Sequence, residues 1–159
     1  MTTDIEIMTI VDALQRQVAN AFALYLNYKR YHWYTYGPHF RDLHLLFDSH
    51  AEQTLESLDE LGERIRILGG NPVATLQGVE DTMSVLVPTS TEHSMRTMID
   101  EAIANHRRVI TEMREAVALA ARGGDPGTAD LFTRLVQGHE KQEWFLREVA
   151  DRTPDGLQA

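Results

Sequence analysis

Asn27–Pro72, NYKRYHWYTYGPHFRDLHLLFDSHAEQTLESLDELGERIRILGGNP, is the stretch whose reading decides the fold. It is two helical patterns divided by a single break, Gly37-Pro38. Pro disfavours helix in the residue before it and can open a new helix in its own first turn. The same stretch gathers His32, His44, Asp48, Asp59 and Glu63, residue types that bind hard or borderline metal ions. Upstream of the break, Val11, Leu14, Val18, Phe22 and Tyr25 recur three or four apart, which predicts a long helix over 5–36. Downstream, Phe47, Leu58, Leu61, Ile65 and Leu68 form the apolar stripe of a second helix over 38–68, closed by Gly69-Gly70 and Asn71-Pro72.

Working outward, residues 71–90 contain Pro72, Gly78 and Pro88 and read as a long connection, with a short helical turn expected near Val79–Met83. Thr89 and Glu92 have the spacing of a capping box. A third helix follows over 95–120, with Ile99, Ile103, His106, Ile110, Met113 and Val117 inward. Gly123-Gly124 ends it, and Asp125-Pro126 suits the N-cap and first turn of a fourth helix. Phe132, Leu135, His139, Leu146 and Val149 supply the inner face of that helix, and residues 152–159 are expected to form a flexible tail. Four long helices with two tight connections and one long one describe an all-α, ferritin-like four-helix bundle, with one crossover carrying a short helix. The 159 residues suit a single domain.

Composition narrows the chemistry. A formal charge of −9 argues against a general polyanion binder and favours cations as partners. The absence of cysteine excludes disulfides, thiolate metal sites and thiol catalysis, leaving His and carboxylates as the strong metal ligands. The start of the chain, MTTDIEIMTI, lacks the basic and apolar regions of a secretory signal, and no run is apolar enough to span a bilayer. A soluble, cytoplasmic protein with no membrane partner is expected.

Helix geometry constrains the candidate ligands further. With His44 set at zero on the second helix, Asp48, Asp59 and Glu63 fall within about 100° on one side of the core stripe. The His44/Asp48 and Asp59/Glu63 pairs, however, are centred about 22 Å apart along the axis. One ion with bonds of roughly 2 Å cannot be shared by both pairs within one subunit. Two antiparallel copies of this helix, related by a two-fold axis near Gln53–Thr54, would bring each pair opposite its complement and build two equivalent sites. His32, near the end of the first helix, can complete the imidazole side. The chain has no Glu-x-x-His, so the intra-subunit di-iron centre common in such bundles is not expected. His106 and His139 read as satisfied core histidines, and Trp33 and Trp144 as packing residues. Trp33 is also a candidate redox aromatic.

In its motifs the chain resembles the Dps mini-ferritins (DNA-binding proteins from starved cells). These are HW at 32–33, GPHF at 37–40, LHLLFD at 43–48, DELGERIRILGG at 59–70, GDPGTADL at 124–131 and EKQEWFL at 140–146. The resemblance covers almost the whole chain. It implies a hollow homo-dodecameric shell built from two-fold dimers, with ferroxidase centres at the dimer interfaces. His32, His44 and Asp48 would come from one subunit, and Asp59 and Glu63 from its mate, with His32, His44, Asp59 and Glu63 carrying the chemistry. The implied activity is oxidation of Fe(II) by hydrogen peroxide or dioxygen, with ferric mineral stored inside. Asp125 and Asp130 resemble the acids of an iron pore, although Pro126 stands where some members have another acid. The acidic N-terminus and the DRTPDGLQA C-terminus lack the basic extension with which members condense DNA, so DNA binding and nucleoid association are not favoured. The alternative is a non-enzymatic, DNA-coating or structural shell protein whose site holds redox-inert zinc, an ion that imidazole and carboxylate also suit.

Overall fold

A computed structural model describes residues 4–91 and 93–152 of the chain, side chains of residues 4–8 and 151–152 excepted. Its elements are α1 (Asp4–Tyr34), α2 (Phe40–Ile67), α3 (Leu76–Thr82), α4 (Met95–Arg122) and α5 (Pro126–Arg152). The four long helices form the ferritin-like bundle expected from the periodicity, α1 packing chiefly on α2 and α4 on α5, with α3 lying against α1 in the crossover.

The breaks work by backbone geometry. Gly37 has φ 88°, a left-handed conformation that side chains disfavour, and the Phe40 amide donates to the Gly37 carbonyl at 3.1 Å. α2 therefore starts at Phe40, two residues later than Pro38. At its other end Gly69 has φ 90°, and the Gly70 amide reaches back to the Ile65 carbonyl at 2.9 Å, closing the helix in a Schellman arrangement. Two local expectations are corrected. The short crossover helix begins earlier, at Leu76, because Thr75 caps it by accepting from the Gly78 amide at 3.0 Å. The cap of α4 is Ser94, whose hydroxyl accepts from the Thr97 amide at 3.0 Å, in place of the Thr89–Glu92 box. Glu92 lies outside the described residues, as does the expected tail from 153 onward, and Arg152 still belongs to α5.

The core consists of two apolar blocks. One centres on Leu14, Leu61, Ile65, Met113 and Phe132, the other on Tyr31, Phe47, Met98, Ile99 and Leu146. Between them lies a buried polar layer containing His50, His106 and His139 beside Tyr28. His106 and His139 are thus core histidines with partners, joined through their Nδ1 atoms at 2.9 Å. One proton must lie between these two nitrogens, since each neutral imidazole carries a single N–H. Burial pushes the His139 pKa down to about 4 and holds that of His106 well below the usual range.

Trp33 and Trp144 lie outside the core: Trp33 is 66% and Trp144 48% exposed, with Trp144 edge-on to the Phe145 ring at 5.0 Å. Phe22, placed on the inner face by spacing alone, is also exposed. Among the described residues no helix is long and apolar enough to cross a membrane.

Candidate metal centre

The Gly37 turn folds α1 back along α2, so the last turn of α1 faces the first turns of α2. His32 and His44 meet there with rings stacked at 3.6 Å between centroids and 17° between planes. The pair is cross-linked through the backbone: His32 Nδ1 lies 2.7 Å from the His44 carbonyl oxygen, and His44 Nδ1 lies 2.8 Å from the His32 carbonyl oxygen. A carbonyl can only accept, so both Nδ1 atoms carry the proton. In the neutral form each Nε2 then holds a free lone pair, which is the second-sphere arrangement that prepares imidazole for a metal ion. Phe40 stacks on the other face of His44 at 5.0 Å and fixes the ring plane.

Asp48 follows one turn after His44. Its Oδ1 lies 3.9 Å from His32 Nε2, so the carboxylate and an imidazole nitrogen approach one small region. The same Oδ1 accepts a 2.7 Å bond from Lys29 Nζ. That hydrogen bond is the chief reason the Asp48 pKa lies below the usual carboxylate range, and it raises the Lys29 pKa. A cation that uses this oxygen competes with the ammonium for it. Lys29 was not identified from residue types, although its place three before His32 on one helix was a usable signal.

Asp59 and Glu63 sit farther along α2, both exposed. Among the described residues of one chain, no group of three or more His, Asp or Glu side chains is arranged to hold a metal ion. The structure thus brings together His32, His44 and Asp48, and leaves Asp59 and Glu63 apart from them, on the same helix but open to a second chain.

The candidate pore acids differ from each other. Asp130 is exposed, whereas Asp125 caps α5, accepting from the Thr128 amide at 3.0 Å and from Arg64 Nη2 at 2.7 Å. Burial alone would raise the Asp125 pKa, but these bonds hold it low. Its charge is committed to joining α2 to α5. Trp33, the candidate redox aromatic, is exposed, with Lys29 Nζ 5.8 Å from its ring centroid.

Comparison with known proteins is consistent across the chain. Residues 11–155 match the ferritin-like domain family. The chain is similar to the Dps of Thermosynechococcus elongatus, with 48% identity, a TM-score of 0.87 and 89% of each chain covered. It is 34% identical to DNA protection during starvation protein 1 of Deinococcus radiodurans, over 92% of this chain and 70% of that protein. The Vibrio cholerae Dps, described as a member of a broad superfamily of ferritin-like diiron-carboxylate proteins, is 26% identical with a TM-score of 0.85, over 92% of this chain and 95% of that one.

Proposed function

Since the chain belongs to the Dps mini-ferritins within the ferritin-like family, we propose that it is an iron-storing ferroxidase that takes Fe(II) and hydrogen peroxide as substrates, dioxygen being the slower oxidant. The observation that carries this reading is the reciprocal bonding of His32 and His44, which leaves two Nε2 lone pairs, that of His32 beside Asp48. The description of the Vibrio cholerae relative as a diiron-carboxylate superfamily member supports iron as the metal.

Imidazole nitrogen and carboxylate oxygen suit Fe(II), and anionic oxygen stabilises the extra charge as Fe(III) forms. His32 and His44 supply neutral nitrogen from one subunit. Asp59 and Glu63 of an antiparallel second copy supply anionic oxygen across a two-fold interface, with Glu63 suited to bridging, and Asp48 supports from beside the histidines. Two Fe(II) give one electron each, the O–O bond of peroxide breaks, and two hydroxides form. Ferrous ion and peroxide are consumed together, so they do not generate hydroxyl radical. The ferric product is stored as mineral inside a homo-dodecameric shell, for which Asp130 lines a candidate entry and Asp125 holds the adjoining helix.

The test is anaerobic loading with Fe(II) followed by peroxide, on the parent and on the His32→Ala/Glu63→Ala variant. The variant should oxidise Fe(II) at least about tenfold more slowly, given what loss of ligand-sphere groups costs. Equal rates would sink the assignment. Metal analysis of the purified protein runs alongside: tightly held zinc with no peroxide consumption would replace the ferroxidase by a structural metal site.

A further inference from the structure

The buried polar layer is not part of the metal centre, yet it draws one side chain from each long helix: Tyr28 from α1, His50 from α2, His106 from α4 and His139 from α5. Its contacts form a chain. The Tyr28 hydroxyl is hydrogen-bonded to His106 Nε2, His106 Nδ1 lies 2.9 Å from His139 Nδ1, and His50 Nδ1 lies 3.3 Å from the same hydroxyl. Two opposite assignments of protons satisfy every contact, and in one of them the chain leads from Tyr28 to His139. There His50 Nδ1–H donates to the phenolic oxygen, the phenol donates to His106 Nε2, and His106 Nδ1–H donates to His139 Nδ1. In that arrangement a proton leaving Tyr28 has an acceptor already in place, and His106 can hand its own Nδ1 proton onward. The far end, His139, borders a cleft between α2 and α5 lined also by Gln53, Ser57, Glu60 and Arg134.

At rest every member of the chain is neutral. Burial, and secondarily Tyr31, pushes the Tyr28 pKa well up, while burial holds His106 and His139 neutral. The phenol keeps its proton unless it also loses an electron, because an oxidised phenol is a strong acid. Tyr28 is also placed to lose one. It lies one turn before His32 on the same side of α1, about 6 Å along the axis. Its ring is 6.2 Å from that of Phe47, the neighbour of Asp48. Trp33 is less suited, since its ring is exposed and the nearby Lys29 cation opposes removal of an electron.

We propose that Tyr28 is a proton-coupled electron donor to the metal centre, with His106 and His139 taking up its proton, which lets a centre holding a single ferrous ion reduce peroxide completely. The proposal rests on the ferroxidase reading above. In the first step the O–O bond of hydrogen peroxide breaks on receiving two electrons, one from Fe(II) and one from Tyr28. The products are Fe(III), two hydroxides, a Tyr28 phenoxyl radical and a protonated His106. In the second, another Fe(II) returns an electron to the radical and the imidazolium returns the proton. The sum is two Fe(II) oxidised per peroxide.

The test is to load one Fe(II) per centre anaerobically, add substoichiometric peroxide and freeze-quench for electron paramagnetic resonance. Protein is prepared with natural, ring-deuterated tyrosine or deuterated tryptophan. The expected result is an organic radical whose hyperfine pattern collapses with deuterated tyrosine, is unchanged with deuterated tryptophan and is absent from Tyr28→Phe. That variant keeps the ring packed against Tyr31 and Phe47, and spin trapping should show severalfold more hydroxyl-radical adduct from it. Should Tyr28→Phe fail to fold, the labelled parent still decides between tyrosine and tryptophan. Oxidation of Fe(II) with no radical, a radical indifferent to tyrosine labelling, or one that persists in Tyr28→Phe would each overturn the role of Tyr28 and leave the ferroxidase standing. A parent that does not oxidise Fe(II) would overturn both.

Discussion

His32 and His44 at the end of α1 and start of α2 can be set against His50, His106 and His139 in the middle of the bundle. In the first group each Nδ1 is bonded to backbone and each Nε2 is left to a further partner. In the second, ring nitrogens are bonded to other side chains, through His106–His139 and the Tyr28 hydroxyl. The same residue type therefore offers lone pairs outward in one place and closes a network inward in the other. What separates them is the partner of one ring nitrogen. A backbone carbonyl, which cannot donate, dictates a tautomer, whereas imidazoles and a phenol can exchange roles.

The sharpest way to break the comparison is to remove a member of the inner group. His106→Ala leaves Tyr28 and His139 without their shared partner and opens a cavity in a packed layer, so unfolding free energy should fall by about 3–5 kcal/mol, measured by denaturant titration. Acid should act in the same direction. The His139 pKa of about 4 lies below the ordinary 6.5. The unfolded chain therefore binds more protons between those values, and stability is lost as pH falls through that window. The contribution of His139 at pH 5 is a loss of about 2 kcal/mol relative to pH 7. Denaturation midpoints at the two pH values check this, and His139→Gln should make the dependence shallower, leaving the parts due to His50 and His106. A midpoint that did not move would mean that the layer is hydrated and its histidines protonate in the folded state as readily as in the unfolded chain.

The outer group should behave differently. His32→Ala should cost about 1 kcal/mol of stability, the size of a lost hydrogen bond, while abolishing most Fe(II) binding in a calorimetric titration. A loss of stability as large as that of His106→Ala would erase the distinction between the two groups. The smallest effect expected is at Lys29. Lys29→Met frees Asp48 from a partly exposed ion pair, so Fe(II) affinity should rise by up to about fivefold, equivalent to roughly 1 kcal/mol. A fall in affinity would show that Lys29 orients the carboxylate instead of competing for it.

Much of this arrangement was legible in the chain. The recurrence of Leu14, Val18, Leu61, Ile65, Ile99 and Met113 marked the buried faces, and Gly37, Gly69 and Asp125 marked the ends of helices. The fixed rise of a helix was enough to show that His44/Asp48 and Asp59/Glu63 cannot serve one ion within a subunit. Less was legible where a residue's role depends on a neighbour from another helix. His50 carried no signal, and Trp33 read as a packing residue although it is exposed. Ser94 prevailed over Thr89 as the cap of α4 because only the folded connection sets which hydroxyl reaches a free amide.

The sequence by itself determined the four long helices, their breaks, the crossover and the division of the ligand residues into two separated pairs, since all of these follow from distances measured along one chain. Tertiary structure alone decided that His32 and His44 lock each other's tautomers, that Lys29 sits on Asp48, and that Tyr28 and three histidines meet between two apolar blocks. Those contacts depend on the rotation and axial offset of one helix against another. Both are set by packing of the whole core, and neither is encoded in the spacing of any single segment.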